Sequence, residues 1–144
     1  MKRHFVLVVF ALSLVGCASV PLAPEDSDMR AKQFKPPEGM ASIYVTRKHF
    51  YGHAYLFRLV LDGELIGQIA YKTYHKLDVL PGNHIITVMT EGKQSREKVK
   101  VNAGDVVFFD LVPGGFWTVT ADIQKIDEEE GINIVSNSQL INEL

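Results

Sequence analysis

The sequence predicts an all-β fold, an antiparallel β-sandwich of about seven to eight strands, over residues 39–144. Three observations carry that expectation. Beyond Gly39 the apolar residues recur at period two in short runs. Turn-forming residues cut those runs roughly every 8 to 12 positions. Hairpins with one apolar face close a core by laying one sheet on another, because a lone sheet leaves that face in water.

The first strand is Ser42 to Arg47, where Ile43 and Val45 alternate with Ser42, Tyr44 and Thr46, so one face is expected buried and the other wet. Tyr55 to Leu61 and Glu64 to Tyr71 flank Asp62-Gly63, a pair suited to the two positive φ angles of a type I′ turn. Tyr74 to Leu80 and His84 to Thr90 flank Pro81-Gly82-Asn83 and read as a second hairpin. Ser95 to Val101 carries Arg96, Lys98 and Lys100 on one face, the pattern of an edge strand that lysine protects against further pairing. Val106 to Leu111 is apolar on both faces and belongs inside a sheet. After Pro113-Gly114-Gly115, Phe116 to Ile123 is the last strand. A short C-terminal helix is expected from Asp127, with Asp127 as N-cap and Glu130 at the capping-box position. The expected core is Ile43, Val45, Phe57, Leu59, Leu61, Ile69, Leu77, Val79, Ile86, Val88, Val107, Phe109, Trp117 and Val119.

Ahead of the domain the pattern differs. Lys2 and Arg3 precede the apolar stretch Phe5 to Ser13, and Leu14-Val15-Gly16-Cys17 closes it with a small residue before the only cysteine. This segment resembles a bacterial lipoprotein signal. The resemblance implies cleavage after Gly16, a signal peptide of residues 1–16, and acyl chains on Cys17 that enter membrane lipid. The apolar stretch falls short of the about 20 residues a spanning helix needs. Ala18 and Ser19 follow the cysteine where aspartate would direct retention in the inner membrane. The expected place is the outer membrane of the cell envelope, facing the periplasm. With Cys17 used for lipid no thiol remains to form a disulfide.

Residues 17–38 then carry four prolines and scattered charge without period, which reads as a flexible tether from the lipidated cysteine. The alternative is an arm in which Phe34 and Pro36 pack on the domain. Removing Lys2 and Arg3 from the 15 basic side chains leaves 13 against 17 acidic ones, a net charge of −4, so nucleic acid is not an expected partner.

Four segments resemble one family: Ala41 to Arg47, Leu61-Asp62-Gly63-Glu64-Leu65-Ile66-Gly67, Leu80-Pro81-Gly82-Asn83-His84, and Val101-Asn102-Ala103-Gly104-Asp105. In order and spacing they look like a bacterial lipoprotein domain of unknown function, related in pattern to the PEGA-type surface domains. The resemblance implies a small β-sandwich and no known catalysis, and it supplies no functional residues.

Sites of chemistry are sparse. There is no Gly-x-Ser-x-Gly elbow for a nucleophilic serine. Asp62, Glu64, Asp78, Asp105 and Asp110 read mostly as turn-stabilising carboxylates. His49 and His53 stand four apart and form the rival reading, a metal-dependent or hydrolytic enzyme, which would need a third ligand such as His75 or His84. His75 is expected on the wet face of its strand. Tyr51, Tyr55, Tyr71 and Tyr74, with Phe50, could make a stacking surface for a sugar or peptide. The expectation is a non-catalytic binding or assembly module without cofactor or metal, holding an envelope protein or glycan.

Overall fold

The computed structural model describes residues 19–142. In chain order the elements are α1 (Glu25–Ala31), β1 (Ala41–Arg47), β2 (Phe57–Leu61), β3 (Glu64–Ile69), β4 (Thr73–Val79), β5 (Gly82–Met89), β6 (Gln94–Val101), β7 (Val106–Gly114), β8 (Thr120–Ile126), α2 (Glu128–Ser136) and β9 (Gln139–Leu140). The strands form a five-stranded sheet, β8-β7-β1-β4-β9, stacked on a four-stranded sheet, β3-β2-β5-β6. The core between them holds Ile43, Val45, Phe57, Leu59, Ile69, Ile86, Val88 and Phe109. Each such side chain removed from water contributes about 1.5–3 kcal/mol. The two-sheet class expected from periodicity is therefore observed.

Two ladders depart from the expected antiparallel pattern. β7 returns beside β1 in parallel, Ile43 opposite Val107, and β9 runs parallel to β4 after α2 has carried the chain back. The expected second hairpin is also absent. β4 pairs with β1 while β5 pairs with β2 and β6, so the segment around Pro81 and Gly82 switches the chain from one sheet to the other. A turn signature reports a change of direction, and it is silent on which strand the chain meets next.

β1 has no wet face. Ile43 and Val45 point into the sandwich, and Tyr44 and Thr46 on the opposite side are buried as well. They are covered by the N-terminal arm and α2: Tyr44, Tyr74 and Phe108 pack with Ala31, Phe34 and Val135. The Tyr44 hydroxyl donates to the Ala31 carbonyl at 2.6 Å, and the Tyr74 hydroxyl donates to Asp28 Oδ1 at 2.8 Å. Burial pushes both phenols well above their ordinary range.

Within the expected tether, then, α1 and Phe34 lie on the domain, and of the two readings the packed arm is the one observed. Even Val20 reaches the core, and Leu22 bridges to Ile141. Residues 1–16, expected as a signal peptide, and Cys17 lie outside the described residues. Among the described residues no helix is long and apolar enough to cross a membrane.

The family-like motifs are locks on the turns. Asp62 and Gly63 take φ of 51° and 89°, as a type I′ turn requires. His84 bonds Asp62 Oδ2 through Nδ1 at 2.7 Å and the Leu80 carbonyl through Nε2 at 2.8 Å, which ties the β2–β3 hairpin to the sheet switch. Asp105 accepts the Asn102 N–H at 2.7 Å to hold the turn into β7. At the C-terminal end Asp127 caps α2 by accepting the Glu130 N–H at 2.8 Å, as the sequence predicts.

Candidate functional site

The β1–β2 loop and the β7–β8 turn lie together at one end of the five-stranded sheet. That end is where most of the exposed aromatic side chains gather. Arg47, the last residue of β1, is fully buried there. Its guanidinium donates from Nη1 to the carbonyls of Tyr55 at 2.6 Å and Ile69 at 3.2 Å, and from Nη2 to the Gly52 carbonyl at 2.6 Å. It also lies over the Phe57 ring, 3.9 Å from the centroid. Burial draws its pKa down to about 10, so the group stays charged at neutral pH. A fixed planar fork that gathers carbonyls is suited to shaping a loop.

The loop so shaped exposes Phe50, Tyr51 and Tyr55. His53 stacks on Phe50 with centroids 4.2 Å apart, and Tyr71 meets Phe50 edge-on at 5.5 Å. Tyr51 spans to the neighbouring turn, its hydroxyl donating to the Gly115 carbonyl at 2.6 Å. Beyond Gly115 stand Phe116, 87% exposed, and Trp117, 91% exposed, with their rings edge to face at 5.1 Å. Exposed aromatics packed mainly on one another, not on a core, offer flat apolar faces with polar edges for a partner to cover.

Of the four tyrosines singled out from the sequence, Tyr51, Tyr55 and Tyr71 belong to this end. Tyr74 does not. It points to the other side of β4, fully buried beneath α1, because a strand turns alternate side chains to opposite faces and this one carries a helix layer. Trp117, expected in the core, is instead the most exposed of the large apolar side chains described. The reason lies at Gly115, whose φ of 94° and close approach to the Thr118 carbonyl delay β8 until Thr120. The adjacent Gly114-Gly115 pair was the available signal.

His49 and His53 have separate engagements. His49 Nε2 lies 3.1 Å from Asp110 Oδ2, while His53 is held by Phe50. Asp110 is buried in mid-β7, accepts from the Thr46 hydroxyl at 2.9 Å and the Lys48 N–H at 3.3 Å, and is raised above the ordinary carboxylate range by burial. Lys48 in turn pairs with Glu130 of α2. Among the described residues no three His, Cys, Asp or Glu side chains are grouped to hold a metal. His75 is buried against the inter-sheet core, not wet, and donates from Nε2 to the Gln68 carbonyl at 3.0 Å; burial lowers its pKa and keeps the ring neutral.

Residues 37–113 match the family described as a protein of unknown function, DUF2846. The chain is also similar to an uncharacterized protein of Haemophilus influenzae, 30% identical over 132 residues, which covers 90% of this chain and 79% of that one. The matched region begins just before β1 and ends in β7, so it holds the Arg47 clamp, the His84 tie and the buried Asp110 but stops short of Phe116 and Trp117. The chain belongs to the DUF2846 family.

Proposed function

We propose that this protein is a lipoprotein of the bacterial envelope, anchored by acyl chains on Cys17 in the outer membrane and facing the periplasm. In this reading it is a non-catalytic binding module with a PEGA-like sandwich. Its aromatic end, Phe50, Tyr51, Tyr55, Phe116 and Trp117, holds an extended segment of an envelope protein. The observation that carries the reading is the exposed Phe116-Trp117 pair beside a loop that Arg47 and Tyr51 hold in place. An aromatic surface costs little entropy to immobilise and is the chemistry of protein hot spots.

A photo-crosslinking residue at position 117, in cells, tests this. One discrete protein adduct, lost when Phe116 is also replaced by serine, is expected; no adduct at 117, 51 or 55 would overturn the binding role. A glycan partner would instead appear as a shift in Trp117 emission on adding soluble muropeptides. A metal- or hydrolase-type activity that disappears in both His49→Ala and His53→Ala would replace the non-catalytic reading. Mass spectrometry of the native protein checks the anchor, since an unmodified Cys17 thiol refutes it.

A further inference from the structure

The outward face of β2, β5 and β6 carries a charge opposite to that of the helix side. Arg58 and the half-buried Val60 point outward on β2, alternating with the buried Phe57 and Leu59. Across the ladders Arg58 faces Met89, Thr87 faces Arg96, Ile85 faces Lys98 and Asn83 faces Lys100. Val60, Ile85, Met89, Arg96, Lys98 and Lys100 border one shallow concavity of about 920 Å³. Among the described residues none of Arg58, Arg96, Lys98 and Lys100 takes part in an ion pair. Asp62 at the rim is already held by His84 and by the Ile85 N–H. Leu65, opposite Val60, and Ile85 are exposed beside these cations. The helix side bears Glu25, Asp26 and Asp28 on α1 and Glu128, Glu129 and Glu130 on α2; Asp26, Asp28 and Glu130 are paired there with Arg30, Lys32 and Lys48, and Glu25, Glu128 and Glu129 have no ion-pair partner among the described residues.

The chain also leaves the domain beside this face. Val20 and Pro21 share an apolar groove with Arg58, Leu65 and Ile66 along β3. Cys17 is three residues before Val20. At no more than about 3.6 Å per residue, that link spans at most about 11 Å.

We propose that this basic sheet face rests on the anionic phospholipid headgroups of the membrane that holds the Cys17 acyl chains, with Leu65 and Ile85 reaching into the interface. The inference rests on the lipid anchor proposed above. A short link keeps the face at headgroup level, and cations near an anionic surface add attraction that falls off within a Debye length. The helix side, with its unpaired Glu25, Glu128 and Glu129, then turns away from the lipid.

The experiment uses the full lipidated protein on vesicles of phosphatidylcholine alone or with one quarter phosphatidylglycerol. Single cysteines at Lys98, Trp117 and Glu129 carry a nitroxide, and collision with a water-soluble nickel complex is read for each. On the anionic vesicles the label at 98 should lose roughly threefold or more of its collision rate, recover in 0.5 M salt, and differ from the unchanged label at 129. Lys98→Glu with Lys100→Glu should abolish the shielding of a label at Ile85, each reversed cation weakening the contact about fivefold or more. Equal exposure at 98 and 129 on vesicle-bound protein, or shielding at 117 with 98 exposed, overturns the sheet-face orientation while leaving the anchor intact. Labelling of wild-type protein at Cys17, or failure to float with vesicles, refutes the anchor and the inference with it.

Discussion

The Tyr51 hydroxyl donates to the Gly115 carbonyl at 2.6 Å, joining a loop and a turn that lie 64 residues apart in the chain. Tyr51→Phe removes that tie and leaves the ring. The expected cost to stability is about 0.5–1.5 kcal/mol or less, given the exposure of the bond. Amide exchange of residues 115–118 should speed up. Gly115→Ala is expected to do more: a β-carbon there would meet the Thr118 carbonyl at 2.0 Å, in a backbone with φ of 94°. Trp117, the only tryptophan, reports the rearrangement by its fluorescence.

Arg47→Lys keeps a charge but cannot reach three carbonyls in one plane. Unfolding by urea should show a loss of about 1–3 kcal/mol, because the buried Ile69 carbonyl or the part-buried carbonyls of Gly52 and Tyr55 lose their donor. Exposure of Phe50 and Tyr55 should change with it, visible as weaker crosslinking at position 55. An unchanged denaturation midpoint would refute the clamp.

Asp110→Ala leaves the Thr46 hydroxyl and the Lys48 N–H without their side-chain acceptor, and a loss of about 1–3 kcal/mol is expected. Asp110→Asn retains an acceptor and should cost less. Because burial raises the folded pKa above 3.8, wild type binds more protons folded than unfolded in the window above 3.8. Its stability relative to Asp110→Asn therefore falls as pH rises through that window. Urea titrations of both proteins between pH 3.5 and 7 read the difference.

His84 bonds two acceptors, a carboxylate and a carbonyl, so both ring nitrogens donate and the imidazolium is the bonded form. Burial opposes this, but the bond to Asp62 prevails and the pKa is raised above 6.5. The contribution is complete below pH 6.5 and is lost as pH rises through the folded value. For Asp62, burial pulls upward, yet the His84 and Ile85 bonds hold it below 3.8, so its share is present above 3.8 and lost as pH falls through the depressed value. His84→Ala should cost under about 1 kcal/mol at pH 5.5, as befits a pair whose carboxylate is exposed to water, and less at pH 9. A cost that grows with pH would contradict the assignment.

Gly131→Ala should destabilise although it lies within a helix. Helix propensity favours alanine over glycine by about 1 kcal/mol. Here the new β-carbon would lie 2.2 Å from Phe108 Cγ, and overpacking costs about 1–3 kcal/mol. Phe108→Leu should recover part of the loss in a double-mutant cycle.

What could be read from residues in a row was set by local chemistry. Period-two alternation placed most strands; Asp62-Gly63 fixed its turn, Lys98 and Lys100 marked the edge strand β6, and Asp127 capped α2, because each depends on neighbours a few positions away. The three tyrosines of the aromatic end were also legible, as a crowd of rings around two loops. Tyr74 and Trp117 were not, since a ring in a strand looks the same whether a helix covers it or water does. The arm from Val20 to Phe34 looked like linker because its few apolar residues find partners only on a sheet built later in the chain.

By itself, then, the sequence determined that apolar strand faces stack as two sheets, where the chain turns, and that a cysteine ends a signal-like segment. Only the tertiary structure decided which strands pair in parallel, that both faces of β1 are dry, and that Arg58 of β2 joins the face of Arg96, Lys98 and Lys100. Pairing across a sheet brings together residues tens of positions apart, and no pattern of near neighbours encodes that meeting.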